Sequence, residues 1–194
     1  MIIRLTILII CLLKAAALPA EPAVRPLITK EEIGAKIHEV ATSINRDFAG
    51  KDLVIVMVLK GAICLVADLI RELDIPLDVE AVQCSSYGAN GTKRGELQVI
   101  GADQIHVCNR DVLIVDDIFD SGNTMTTLIH TFKKQNPRSI QSCVLLYKHG
   151  VSKVSDYRPE YVLFDIEDLF VVGYGLDFKE KYRGLPDVSV LETP

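Results

Sequence analysis

The run Leu53–Leu59, with the sequence LVIVMVL, constrains the fold more than any other part of the chain. No polar residue interrupts it, and polar residues stand on either side, at Lys51-Asp52 and Lys60-Gly61. A strand without a polar face has to be covered on both faces, which is typical of parallel sheets. Asp111–Asp116 (DVLIVD) is a second run of this kind. We therefore expect both runs to be central strands of a covered sheet.

Helical and strand patterns alternate along the rest of the chain. Thr29–Glu32 (TKEE) fits a capping box, and apolar residues then recur at helical spacing as far as Phe48. Further predicted helices are Ala62–Leu73 and Thr124–Gln135, and further predicted strands are Leu77–Gln83, 140–148 and 160–166. This alternation with short joins predicts an α/β fold with a central, mostly parallel sheet flanked by helices. Ligands collect at the carboxyl ends of such strands, where Lys60-Gly61, Asp116–Thr124 and Lys148 fall.

Composition and charge limit the classes of function. The 194 residues suit one domain, and the net charge of -5 argues against a broad basic surface for nucleic acid. We therefore expect no nucleic-acid partner. The five cysteines are scattered without metal-ligand spacing, so we interpret them as buried small residues of a protein in a reducing compartment.

The N-terminal segment points to a different compartment. It has Arg4, an apolar run over Leu5–Leu13 and small residues at 15–17, which is the outline of a secretory signal. The run is too short to span a bilayer as a helix, and Lys14 interrupts the approach to a cleavage site. The segment could equally be an amphiphilic extension or the result of a start placed too far upstream. We expect residues 1–26 to be an extension and residues 27–194 to be the domain.

Candidate chemistry concentrates in Val112–Thr124, with the sequence VLIVDDIFDSGNT. Ser121–Thr124 lie where a strand turns into a helix, so backbone N–H groups, two hydroxyls and the helix dipole suit a monophosphate. The Walker glycine and lysine pattern is absent. Asp116 and Asp117 could accept hydrogen bonds from ribose hydroxyls, directly or through Mg²⁺. Asp120 would face the anomeric region and could accept a proton from a heterocycle.

Two other interpretations of this stretch carry less weight. Adjacent acids after a strand are often a solvated loop, but the complete pattern of apolar residues, acids, Ser-Gly and Thr is more specific than a pair of acids. A receiver domain also has an acidic pair after a strand, but that pair follows the first strand. Here Asp116 and Asp117 lie past the middle of the chain and run into Ser121–Thr124.

The same stretch resembles the phosphoribosyl-pyrophosphate signature of type I phosphoribosyltransferases. With VLKGA (58–62), SSYG (85–88), LLYK (145–148) and LFVVGYGLDFKEKYRGLP (169–186), the chain is similar to the hypoxanthine-guanine phosphoribosyltransferases over roughly 27–191. The resemblance implies a central sheet with a small hood formed by the N- and C-terminal segments. It also implies phosphoribosyl pyrophosphate and a 6-oxopurine as substrates and Mg²⁺ as the cofactor. The expected assembly is a homodimer or homotetramer without membrane association. The expected location is the cytoplasm, since the substrates are intracellular.

The resemblance also implies roles for individual residues. Asp120 would be the general base or acid at purine N7, and the metal would be held by Asp116, Asp117 and Asp177. Contacts with phosphoribosyl pyrophosphate would come from Lys60, Gly61, Asp116, Asp117, Ile118, Phe119, Asp120, Ser121, Gly122, Asn123, Thr124 and Arg183. Contacts with the purine would come from Lys148, Leu169, Phe170, Val171 and Asp177. A mobile lid would begin at Ser85, Ser86 and Tyr87, and Lys60-Gly61 would lie in a pyrophosphate loop with unusual peptide geometry.

Several alternatives stay open at this point. Phe170 could be an ordinary core residue, Asp177 and Arg183 a surface ion pair, and residues 85–96 a plain flexible hairpin. Asp116 stands where many family members have Glu, so its reach to the ribose can differ. A xanthine-preferring transferase is the nearest alternative function, and a non-catalytic RNA-binding regulator that senses nucleotides is a more distant one.

Overall fold

The computed structural model of the chain describes residues 23–86 and 97–192. In chain order its elements are β1 (Val24–Ile28), α1 (Lys30–Asp47), β2 (Leu53–Leu59), α2 (Ile63–Leu69), β3 (Leu77–Ser86), β4 (Leu97–Ile100), β5 (Asp111–Phe119), α3 (Asn123–Lys133), β6 (Ser139–Lys148), β7 (Tyr161–Ile166), β8 (Val171–Val172) and β9 (Val188–Leu191). Within these residues, no helix combines the length and apolarity that crossing a bilayer requires.

The central sheet has the strand order β4-β3-β2-β5-β6-β7. Every neighbouring pair is parallel except β3 with β4. The most apolar strands, β2 and β5, lie side by side in the middle, and their residues are buried in hydrophobic clusters on both faces of the sheet. The predicted α/β class and its mostly parallel sheet are therefore confirmed, and β2 has the predicted bounds.

Within the described residues, three helices cover the sheet. The capping box at the start of α1 is present, because the Thr29 side chain accepts from the Glu32 backbone N–H while the Glu32 carboxylate accepts from the Thr29 backbone N–H. One core lies between the sheet and α1 with α2, and includes Ile44, Phe48 and Leu65. The second core lies on the opposite face beneath α3 and includes Leu128 and Phe132.

The helix predicted over Ala62–Leu73 is shorter than expected, because α2 ends at Leu69. A side chain of α1 explains the difference. The Asn45 amide donates to the Glu72 carbonyl at 3.0 Å, and the Asp74 backbone N–H donates to the Asn45 side-chain oxygen at 2.9 Å. These tertiary hydrogen bonds hold the segment after α2 in a turn, so local helical pattern does not decide its structure.

A second, antiparallel sheet has the order β1-β9-β8 and joins the N-terminal and C-terminal parts of the described chain. This agrees with the expected small hood. The expected boundary between residues 26 and 27 falls inside β1, and residues 1–22 of the expected extension lie outside the described residues.

The cysteines differ from one another in their surroundings. Cys143 is fully buried in β6, Cys64 and Cys84 are half-buried, and Cys108 is exposed. All four are free thiols. The interpretation of the cysteines as buried residues is therefore wrong for Cys108, which lies in the loop before β5. Cys11 lies outside the described residues.

Candidate active site

Asp116 and Asp117 lie within β5. Asp116 was expected to be the last residue of the strand and Asp117 to follow it, but pairing with β6 continues through Ile118 and Phe119. Asp116 is 7% exposed, and its carboxylate accepts a hydrogen bond from the Asp117 backbone N–H at 3.0 Å. Burial raises the pKa of the Asp116 carboxyl well above its usual range, and the neighbouring Asp117 carboxylate raises it further. Burial also raises the pKa of Asp117. The pair therefore favours a cation or hydrogen-bond donors as its ligand.

The turn after β5 has the geometry of an anion site. Gly122 is the N-cap of α3 with φ of 85°, and the helix start has no side-chain cap. A residue with a β-carbon at this position would be strained and would collide with the ring of Phe119 below it. The first turn of α3 therefore presents its backbone N–H groups, with Ser121 and Thr124 beside them, to the cavity described below.

The loop after β2 approaches the acidic pair closely. The Leu59–Lys60 peptide bond is cis, which agrees with the unusual geometry expected there. A β-carbon at Gly61 would overlap the Asp117 carboxylate, and one at Gly175 would overlap the Gly61 carbonyl oxygen. At Gly61 the space available alone requires glycine, whereas at Gly175 the lack of space and a φ of 100° both require it.

Two cations expected to bind pyrophosphate share an ion partner. Lys60 Nζ lies 3.1 Å from a Glu180 carboxylate oxygen, and Arg183 lies 3.4 Å from the same oxygen. Arg183 also forms a 2.7 Å ion pair with Asp177 and donates to the Gly175 carbonyl at 2.7 Å. The Lys60 ammonium holds the pKa of Glu180 below its usual range. Glu180 is a site residue that the sequence analysis missed.

The acidic pair, the phosphate turn, Lys60, Gly61 and Arg183 line one cavity of about 470 Å³ at the carboxyl ends of β2 and β5. Every residue predicted to contact phosphoribosyl pyrophosphate lines it, as does Asp177. Asp177 and Arg183 do form an ion pair, as the alternative interpretation expected, but both residues line this cavity. The lining residues that the sequence analysis missed are Val58, Leu59, Cys84, Leu97 and Met125.

Comparison with known proteins agrees with this architecture. Residues 27–179 match the family model described as phosphoribosyl transferase domain. The chain is 38% identical over 166 residues to a hypoxanthine-guanine phosphoribosyltransferase of Bacillus subtilis, which covers 86% of this chain and 92% of the relative. A relative of that name from Mycobacterium tuberculosis is 38% identical over 172 residues, covering 86% of this chain and 85% of the relative.

A solved structure is similar as well. The crystal structure of a hypoxanthine-guanine phosphoribosyltransferase from Bacillus anthracis matches with a TM-score of 0.81 at 35% identity, covering 89% of this chain and 99% of that chain. The chain belongs to the hypoxanthine-guanine phosphoribosyltransferase family. In this transferase the central sheet and the antiparallel hood are therefore the family's fold, and the cavity at the carboxyl ends of the strands is its candidate active site.

Of the residues expected to contact the purine, Asp177 lines the cavity and the other four do not. Lys148 ends β6, and its side chain is 12% exposed and forms a 3.1 Å ion pair with Asp168. Phe170 is 53% exposed and packs edge-on against Phe178, with 5.6 Å between ring centroids. The alternative that Phe170 is a core residue is therefore wrong. Val171 is buried in β8, and Leu169 packs against the core.

The expected lid is described only in part. The backbones of Ser85 and Ser86 belong to β3 and pair with Gln98 and Leu97 of β4. Tyr87 and the remainder of the expected lid through residue 96 lie outside the described residues. The described strands thus form an antiparallel pair on either side of that segment, at the edge of the sheet.

Proposed function

We propose that the enzyme transfers the 5-phosphoribosyl group from phosphoribosyl pyrophosphate to N9 of hypoxanthine or guanine. The products are the purine nucleoside monophosphate and pyrophosphate. The observation that carries this proposal is the cavity in which a helix N-terminus, the adjacent carboxylates of buried Asp116 and half-buried Asp117, and two cationic side chains meet. An anionic sugar with hydroxyl groups and a second anionic group satisfies all three features together.

The 5-phosphate fits the turn Ser121–Thr124, where backbone N–H groups and the dipole of α3 favour an anion. Asp116 and Asp117 then accept hydrogen bonds from the ribose hydroxyls. The pyrophosphate leaves toward Lys60 and Arg183, whose charges stabilise the developing negative charge. Glu180 has to give up its ion pairs with both cations when pyrophosphate arrives.

Mg²⁺ fits the donors of this site, because adjacent carboxylates favour a hard cation. We propose Asp116, Asp117 and Asp177 as its protein ligands. In residues 23–86 and 97–192, no three His, Cys, Asp or Glu side chains converge into a self-sufficient metal site. Oxygens of the substrate would therefore complete the coordination, as is usual for Mg²⁺ in phosphoryl sites. When bound, the ion supplies neutralisation of the pyrophosphate charge.

Recognition of a 6-oxopurine is assigned to Lys148. Its ammonium carries donors only, so it matches the 6-oxo group and opposes the 6-amino group of adenine. A site built to satisfy such a hydrogen bond can discriminate by about 10⁴-fold. The ion pair with Asp168 orients Lys148. The exposed ring of Phe170 is available for stacking on the base. Backbone atoms of Val171 are proposed to form hydrogen bonds with the edge of the base.

Asp120 is proposed as the group that exchanges the proton at purine N7. It lines the cavity, and its side chain is exposed to it between the acidic pair and the phosphate turn. General acid–base catalysis contributes about 10²–10⁴-fold, so Asp120→Asn should reduce kcat by that order. Unchanged turnover in this variant would remove Asp120 from the mechanism.

The proposal is tested by product analysis. Purified protein is incubated with phosphoribosyl pyrophosphate, Mg²⁺ and hypoxanthine or guanine, and the nucleotide and pyrophosphate are separated by chromatography. Stoichiometric nucleoside monophosphate and pyrophosphate support the reaction. Faster turnover of xanthine than of either base would replace the substrate assignment, and no nucleotide product from folded protein would refute the function. A homodimer or homotetramer and a cytoplasmic location remain predictions.

A further inference from the structure

The loop after β6 lies against the phosphate turn through three consecutive residues. Lys153 Nζ donates to the backbone carbonyl of Asp120. The Val154 backbone N–H donates to the Ser121 carbonyl at 2.9 Å. The Ser155 hydroxyl lies 3.3 Å from the Thr126 hydroxyl in the first turn of α3. The loop therefore supports the turn from outside the cavity lining.

The Lys153 ammonium joins the ends of two strands. Besides the Asp120 carbonyl after β5, it donates to the Lys148 carbonyl at the end of β6. One cation thus connects the backbone of the proposed N7 proton acceptor to the backbone of the proposed 6-oxo donor. Hydrogen bonds from a charged donor are stronger than those between neutral groups.

Aromatic rings fix the position of this ammonium. Lys153 Nζ lies 4.6 Å from the centroid of the Tyr147 ring and 5.5 Å from that of Phe119. The two rings stack with 5.2 Å between centroids and 7° between planes. The guanidinium of Arg158 lies 4.4 Å from the Tyr147 ring centroid. Since Phe119 also supports Gly122 from below, the stack connects the ammonium to the phosphate turn.

We propose that Lys153 is a positioning residue that holds Asp120 and Lys148 at the separation required by the purine ring. This inference rests on the proposed function. N7 and the 6-oxo group are both on one edge of the purine, so the residues that contact them must keep a fixed distance. Lys153 does this through backbone carbonyls and does not touch the substrate. A variant without the Lys153 ammonium still has the Asp120 and Lys148 side chains, but the distance between them is no longer fixed.

The experiment compares Lys153→Met with two other variants. Lys153→Arg keeps donors for both carbonyls and a cation for the Tyr147 ring. Lys51→Met is the matched control, because Lys51 is also half-buried and lies over an aromatic ring, Phe48, at 5.0 Å from its centroid. Lys51 precedes β2 and therefore lies at the opposite, amino edge of the sheet. Steady-state rates with hypoxanthine are measured well below the melting temperature of each variant.

Misplacement of reacting groups by about 1 Å can reduce a rate about 100-fold, so Lys153→Met should lower kcat by about 10- to 100-fold. KM for phosphoribosyl pyrophosphate should change little, Lys153→Arg should recover most of kcat, and Lys51→Met should match the wild type. A purely structural role would lower the melting temperature and leave kcat unchanged, which would overturn the proposal. If Lys153→Met does not fold, Lys153→Gln, with one donor group, is expected to give an intermediate loss of kcat.

Hydrogen exchange separates failure of this inference from failure of the proposed function. In Lys153→Met, backbone amides in 120–124 and 148–152 should exchange several-fold faster than in the wild type, while those of α1 should not change. If the wild type turns over no purine, the proposed function fails, and this exchange pattern alone supports the positioning role. Unchanged exchange in both segments would overturn the role whatever the activity.

Discussion

Gly61→Ala is the substitution for which the structure most clearly predicts a loss of stability and of kcat/KM. A β-carbon built on Gly61 would lie 3.1 Å from the Asp117 β-carbon and would overlap the Asp117 carboxylate itself. Because non-bonded carbon atoms prefer separations of about 3.5–4 Å, the carboxylate has to move by roughly 1 Å or more. The backbone at Gly61 does not need a positive φ, so the collision alone decides the outcome.

The magnitude follows from two effects. Overpacking of this kind costs about 1–3 kcal/mol of the free energy of unfolding, which lowers the melting temperature of a chain this size by about 2–12 °C. Displacing Asp117 from the ribose hydroxyls by about 1 Å should lower kcat/KM for phosphoribosyl pyrophosphate about 100-fold.

The assay combines initial rates at varied phosphoribosyl pyrophosphate with thermal unfolding. Gly34→Ala is the matched control, because a β-carbon at Gly34 in α1 meets no atom within 4 Å. This control should be more stable by about 0.5–1 kcal/mol, because alanine favours the helix, and should keep the wild-type rate. Wild-type kcat/KM in Gly61→Ala would refute the role assigned to the contact between Gly61 and Asp117.

Two further predictions concern charges at the site. Burial raises the folded-state pKa of Asp116 well above its usual range, so the folded protein binds more protons than the unfolded chain and loses stability as pH rises from the unfolded-state pKa towards the folded-state pKa. In metal-free buffer, Asp116→Asn should therefore raise the melting temperature more at pH 8 than at pH 5. An equal change at both pH values would contradict the raised pKa. The same substitution should weaken the binding of phosphoribosyl pyrophosphate. Glu180→Gln frees Lys60 and Arg183 from a competing carboxylate and should lower KM for phosphoribosyl pyrophosphate by a few-fold in steady-state assays, whereas a higher KM would show that Glu180 orients the two cations for binding.

The sheet could be predicted from sequence because its central strands have no polar face. Leu53–Leu59 has the same bounds in the prediction and in the structure. The acidic pair was also identified, but the predicted end of the strand at Asp116 was three residues too early, since β5 pairs with Leu146 and Tyr147 of β6 as far as Phe119. Pairing between strands is not visible in the pattern of one strand.

Contacts between segments distant in the sequence account for what was missed. The helix α2 is shorter than predicted because Asn45 forms hydrogen bonds with the segment that follows it, and the local sequence pattern does not show these bonds. Glu180 meets Lys60 across 120 positions, and Lys153 meets Asp120 across 33. The motif identified the groups that face the cavity, whereas the side chains that hold these groups from outside became evident only in the folded chain.

Discrimination between 6-oxo and 6-amino purines tests the central claim most directly. The ultraviolet absorbance change is followed with phosphoribosyl pyrophosphate, Mg²⁺ and, separately, hypoxanthine, guanine, xanthine and adenine. We expect turnover of hypoxanthine and guanine, with kcat/KM for adenine lower by about 10⁴-fold. Adenine turnover comparable to that of hypoxanthine would contradict recognition through Lys148, and no turnover of any base by folded protein would contradict the function itself.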